Sequence, residues 1–168
     1  MTDVVAEMQA CIPALRRYAS ALLRSRQDVD DLVHDCLVRA LDRLHQRRED
    51  ADLRAWLFTI MHNLFISRLR RAKVQGVPEP IESLLEIGYG PQQDQHMRGR
   101  DVIQALNMLP EDQRSVVLLV AVEEFSYADV ARITGVPIGT VMSRLSRARE
   151  KLRRATDEEV AVPLRRVK

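Results

Sequence analysis

Apolar residues recur every three or four positions along most of this chain, a period that predicts helices and not strands. Between 4 and 24 the face is marked by Ile12, Leu15, Tyr18, Ala19, Leu22 and Leu23. Ser25 to Asp28 reads as a short turn with a helix start. The next stripe is Leu32, Cys36 and Ala40, with Val33, Leu37 and Leu44 beside it. Polar "HQRREDADL" interrupts the period and predicts a loop. "RAWLFTIMHNLFISRLRRAK" restores it as a third long helix, apolar near Trp56–Phe65 and basic at its end, where cations suit a helix C-terminus in any case.

The pattern then fails. Residues 74–99 hold three prolines and four glycines with little periodicity, which predicts a linker with at most one helical turn at Ile81–Ile87. A second helical unit is expected from near Arg100. Pro110 suits a first helical position, and Glu111 and Asp112 suit the positive helix end. "SVVLLVAV" reads as buried on all sides. Ser126 and Asp129 have capping-box spacing, although the box prefers Glu or Gln at its last position. The fold expected is all-α: a helical domain at 1–75, a flexible linker at 76–98, a second helical domain at 99–160 and a tail at 161–168.

The end of the second unit is the most specific feature. A short helix, Tyr127–Ile133, is followed by "TGVP" and a longer helix. In that helix Val141, Leu145, Ala148 and Leu152 lie on one face, set to pack on Val130, Ile133 and Val136. The opposite side carries Thr140, Met142, Ser143, Arg144, Arg147 and, at its edge, Arg149. This is a helix-turn-helix pattern whose second helix fits a major groove.

Charge supports that reading. The 168-residue chain has a net charge of only +2, but residues 138–154 carry six basic residues and one acid. Residues 76–98 carry one basic residue and four acids. No apolar run is long enough to span a bilayer, and the N-terminus, with Asp3 and Glu7, does not read as a signal peptide. Cys11 and Cys36 fall inside helical patterns and read as reduced thiols. The chain is expected in the cytoplasm. The adjacent acids Asp30/Asp31 and Glu123/Glu124 point to different helix faces, and no nucleophile–His–acid set or phosphate loop occurs, so no enzyme is expected.

"FSYADVARITGVPIGTVMSRLSRAREKLR" resembles the promoter-reading motif of the extracytoplasmic-function (ECF) sigma factors of bacterial RNA polymerase. "DVDDLVHDCLVRAL" resembles their polymerase-binding helix, "LRAWLFTIMHNLFISRLRR" their strand-opening helix, and "ALNMLPEDQRSVVLLVAVEEF" the start of their last domain. The resemblance implies core RNA polymerase and promoter DNA as partners, an anti-sigma factor as restraint, no metal or cofactor, no small-molecule substrate and no membrane insertion. It places Asp31, Leu32, His34 and Asp35 against polymerase, with His34 where the family usually has Gln. It places Asn63 and the loop His45–Asp52 against an unstacked base of the minus-ten element, with Arg68, Arg70 and Arg71 near phosphates. Trp56, Phe58 and Phe65 are expected in the core. Thr140, Met142, Ser143, Arg144 and Arg147 fall to the minus-thirty-five element, where Met142 replaces a usual Lys or Arg. Two alternatives remain open: a helix-turn-helix regulator acting without polymerase, for which no dimerisation element is visible, and a sigma-like decoy for an anti-sigma protein.

Overall fold

The computed structural model describes residues 2–76 and 93–161, without the side chains of 2, 93–98, 100 and 156–161. Its helices are α1 (Thr2–Leu22), α2 (Arg26–Asp42), α3 (Leu53–Gln75), α4 (Gln93–Asn107), α5 (Glu111–Val117), α6 (Tyr127–Thr134) and α7 (Ile138–Ala161). A 3-10 turn covers Leu44–Gln46, a π-helical turn covers Leu118–Val122, and no strand occurs among the described residues. Of the expected linker at 76–98, residues 77–92, with the turn at Ile81–Ile87, lie outside the described residues.

Helices α1 to α3 form the first domain. Ser25 caps α2 by accepting the Asp28 N–H at 3.4 Å. Asp52 closes the loop before α3 by accepting the Arg54 N–H at 2.9 Å. The predicted apolar stripes meet inside: Leu15, Tyr18, Leu32, Cys36, Leu57, Phe58, Met61 and Phe65 are almost wholly buried. Trp56 is only half-buried at the edge of this core. Cys36 Sγ lies 3.5 Å from the Leu57 carbonyl oxygen, and burial pushes its thiol up to about 12. Cys11 is also raised by burial, and both are free thiols.

Helices α4 to α7 form the second domain, and here local boundaries differ from expectation. Helix α4 begins at Gln93, seven residues before Arg100. "QDQHMRG" has no apolar stripe to announce a helix, but most of its residues are good helix formers. Pro110 is the residue before α5, not its first position, with ψ at 148°. The run "SVVLLVAV" is buried from Ser115 to Leu119 but exposed at Ala121 and Val122. The cause is the π-helical turn. The Glu123 N–H reaches back five residues to Leu118 O at 3.0 Å, so the extra residue rotates the end of the helix outward. Asp129 does not complete the capping box reciprocally. Ser126 Oγ accepts the Asp129 N–H at 3.1 Å and donates to Asp129 Oδ2 at 2.8 Å. Gly135 ends α6 at φ 70°, a left-handed position suited to glycine. Val141, Leu145 and Ala148 of α7 then bury against Val130 and Ile133.

The two domains are packed on each other. Helix α3 lies against α6, and α1 against α5 and the π-helical turn. Phe58 and Phe125 meet edge to face with ring centroids 5.0 Å apart, so a single core crosses the boundary.

Candidate nucleic-acid interface

Helix α7 carries the basic surface. At 100° per residue, its buried stripe leaves an outward arc centred on Ser143 and Arg147, both exposed. Ser143 donates its hydroxyl to the Gly139 carbonyl at 2.9 Å. Thr140 and Arg144 stand at one edge of the arc. Arg144 is only 25% exposed, and its Nε sits 3.4 Å from Asp112 Oδ2 on α5. Its charge is also felt by His62 of α3 in the first domain. Met142 stands at the other edge and lines a groove with Tyr127, Leu145, Ser146 and Arg149. The five residues predicted for the minus-thirty-five element thus share one side of α7, but Met142 and Arg144 occupy opposite margins of it. Further along, Glu150 holds Arg153 at 3.0 Å and Arg154 at 2.9 Å, and these two arginines hold its carboxyl below the usual range.

On α3, Asn63 and Arg70 are seven positions apart, on one exposed face two turns long. Trp56 lies a further seven positions back on the same side. Arg71 is exposed beside them. Arg68 departs from this group. It turns toward α2, where Nη2 pairs with Asp35 Oδ2 at 2.7 Å and Nη1 donates to the Asp28 carbonyl at 3.3 Å. A residue predicted for DNA and one predicted for polymerase therefore hold each other. The loop His45–Asp52 includes the end of the 3-10 turn and is closed by the Asp52 cap.

The outward face of α2 carries Asp31, His34 and Asp35, all exposed. Leu32 does not belong to it. Its side chain is wholly buried in the first domain's core, so the expectation that it faces polymerase is corrected: it anchors the helix that presents its neighbours. The sequence reading missed Val38 and Leu41, which are 43% and 51% exposed and continue the Asp31–Asp35 face toward the helix end. The signal was present as two aliphatics lying off the buried Leu32–Cys36–Ala40 stripe. The face is therefore mixed, acids at its start and apolar side chains at its end.

Buried polar groups gather where the domains meet. The Tyr18 hydroxyl lies 3.3 Å from His62 Nδ1, and burial raises the tyrosine well above its ordinary value. Burial, aided by Arg144, lowers His62 to about 4. Glu123, with its side chain fully enclosed, is gripped by Arg17 and Arg54 of the first domain.

Residues 99–152 match the family model for sigma-70 region 4, and residues 8–62 match that for the sigma2 domain of PhyR. The ECF RNA polymerase sigma factor EcfG of Rhodopseudomonas palustris is 39% identical over 148 residues, covering 87% of this chain and 81% of EcfG. The ECF sigma factor SigM of Mycobacterium tuberculosis is 36% identical over 140 residues, covering 83% and 70%. Among solved structures, the sigma factor RpoE of Bartonella quintana, in complex with the anti-sigma factor NepR, superposes with a TM-score of 0.79 at 36% identity over 94% of this chain and 98% of RpoE. PhyR of the same organism, an anti-anti-sigma factor, shares the fold at a TM-score of 0.59 and 16% identity, over 88% and 48%. The chain belongs to the ECF RNA polymerase sigma factors.

Proposed function

We propose that this chain binds core RNA polymerase through α2, directs it to promoters through α3 and α7, and is restrained by an anti-sigma protein. One observation carries the reading: a single chain presents both an acidic and apolar helix face fit for a protein and, in the other domain, a basic recognition helix fit for a major groove. The exposed positions of Asp31, His34, Asp35, Val38 and Leu41 support the first contact. Those of Asn63, Arg70, Arg71, Ser143 and Arg147 support the second. The chain performs no chemistry itself and needs no cofactor; nucleotide addition belongs to the polymerase. Its place is the cytoplasm, with the polymerase and the chromosome. The relative RpoE was solved with NepR bound, which supports a comparable anti-sigma partner here.

Run-off transcription with core polymerase on a genomic promoter pool tests this. The expected result is a discrete set of start sites dependent on the chain. A second reading, a decoy that sequesters an anti-sigma protein, is favoured by the match of residues 8–62 to a domain of PhyR. It predicts no chain-dependent start sites and tight anti-sigma binding. Against it stands the basic outward arc of α7, which a decoy does not need.

A further inference from the structure

The contact between the domains is built unlike an ordinary core. Its centre is a carboxylate. Arg17 Nε and Nη2 donate to Glu123 Oε1 and Oε2, both at 2.9 Å, in the fork geometry that suits a carboxylate. Arg54 Nη2 donates to Oε2 at 2.8 Å. The Arg54 guanidinium also sits over the rings of Phe125, at 4.3 Å, and Phe58, at 5.2 Å. Glu123 is wholly enclosed, yet Arg17 and Arg54 keep side-chain exposures of 53% and 34%. Separating the domains would return all three charges to water without stranding any of them. Such a contact is specific but breakable, because the Coulomb attraction is largely offset by the desolvation of the carboxylate.

The backbone that delivers Glu123 is also unusual. It follows the π-helical turn 118–122, and the next residue, Glu124, is the one non-glycine residue at positive φ, 58°, among those described. Non-glycine residues in this region are uncommon and persist where their surroundings hold them. Ser115 Oγ is buried beside Tyr18 on the same boundary.

We propose that residues 123–125 form a plug that the first domain holds in a socket of Arg17, Arg54 and Phe58, and that this clasp keeps the free protein closed and poorly competent for promoter engagement. The inference rests on the sigma-factor function proposed above. Closure has two consequences. It brings Arg144, a groove-side residue already paired with Asp112, near enough to the first domain for His62 to feel its charge. It also holds both DNA-facing surfaces on one body. A compact chain of 168 residues has a radius of gyration of about 15 Å, and therefore a diameter of about 40 Å. Promoter elements about 25 base pairs apart are separated by about 85 Å. Binding both requires the clasp to break, so its stability subtracts from the apparent affinity for polymerase.

The test uses the full chain, Glu123→Gln and Arg17→Gln. The first keeps the shape of the side chain and removes its charge. The second leaves the second domain untouched. Small-angle scattering of each free protein is paired with its affinity for core polymerase, circular dichroism serving to confirm helicity. The expected result is a compact parent, an increase of several ångströms in radius of gyration in both variants, and roughly three- to tenfold tighter core binding. If Glu123→Gln loses helicity, Arg17→Gln decides. An extended parent, variants as compact as the parent, or expansion without a gain in core affinity would overturn the proposal. Failure of the sigma-factor reading looks different: no variant, nor the parent, would support transcription, whatever the scattering shows.

Discussion

Arg147 is the exposed basic residue at the centre of the α7 arc, whereas Arg144 at its edge is already paired with Asp112. Replacing Arg147 by alanine should weaken promoter binding by the polymerase complex and lower the log–log salt slope by about one if it meets a phosphate, or cost about 1–3 kcal/mol on the preferred sequence alone if it reads a base. Titrating parent and variant over a range of salt separates the two, and unchanged binding removes Arg147 from the interface. His62 makes a pH prediction. Its value is about 4 in the folded protein against 6.5 when free. Between those values the unfolded chain holds the extra proton, so stability is full above pH 6.5, declines as pH falls toward 4 and levels off below it. At about 1.4 kcal/mol per unit the loss is about 3 kcal/mol. Denaturant unfolding across this range should show it, and His62→Gln should remove that part of the slope. Leu32, wholly buried, belongs to the core: Leu32→Ala should cost about 2–5 kcal/mol in the same unfolding measurement, and a cost near zero would return it to the surface.

Helix α2 is where periodicity and resemblance disagreed. Its amphipathic period was legible, and so were its start at Ser25 and its acids. Periodicity already set Leu32 on the inward stripe and Val38 off it; the resemblance assigned Leu32 to polymerase instead, and the packing follows the periodicity. Helix α4 was missed at its start because "QDQHMRG" has helix propensity but no stripe. The helix-turn-helix was legible almost to the residue, because Gly135, the Ser126 cap and the Val141–Leu145–Ala148 spacing are local signals that tertiary packing did not override. The Glu123 clasp lay beyond sequence reasoning, since nothing local pairs residue 123 with residues 17 and 54. Substitutions on the exposed face of α2 test its role. Val38→Ser with Leu41→Ser, and separately Asp31→Arg, should each reduce competition for core polymerase while the folded helicity stays unchanged. Asp31 is the cleaner charge to reverse, because Asp35 is tied to Arg68 and its loss would also release a cation on α3. Full competition by both variants would move the polymerase contact off α2.

Two helical domains are packed together through a polar-centred boundary, and each carries part of the surface proposed to face DNA. The sequence pattern divides the chain into two helical units, but a periodicity reading carries no information on how the units sit against each other. That arrangement bears on function. A closed chain about 40 Å across does not span two promoter elements about 85 Å apart, so specificity over both elements should exist only when polymerase holds the domains apart. The direct measurement is a footprint of one promoter by the chain alone and by the chain with core polymerase, at one fixed salt concentration. Protection of both the minus-thirty-five and minus-ten elements with core, and of neither without it, is the result expected of an ECF sigma factor that closes on itself. Equal protection of both elements by the chain alone would contradict the account and favour a regulator that acts without polymerase.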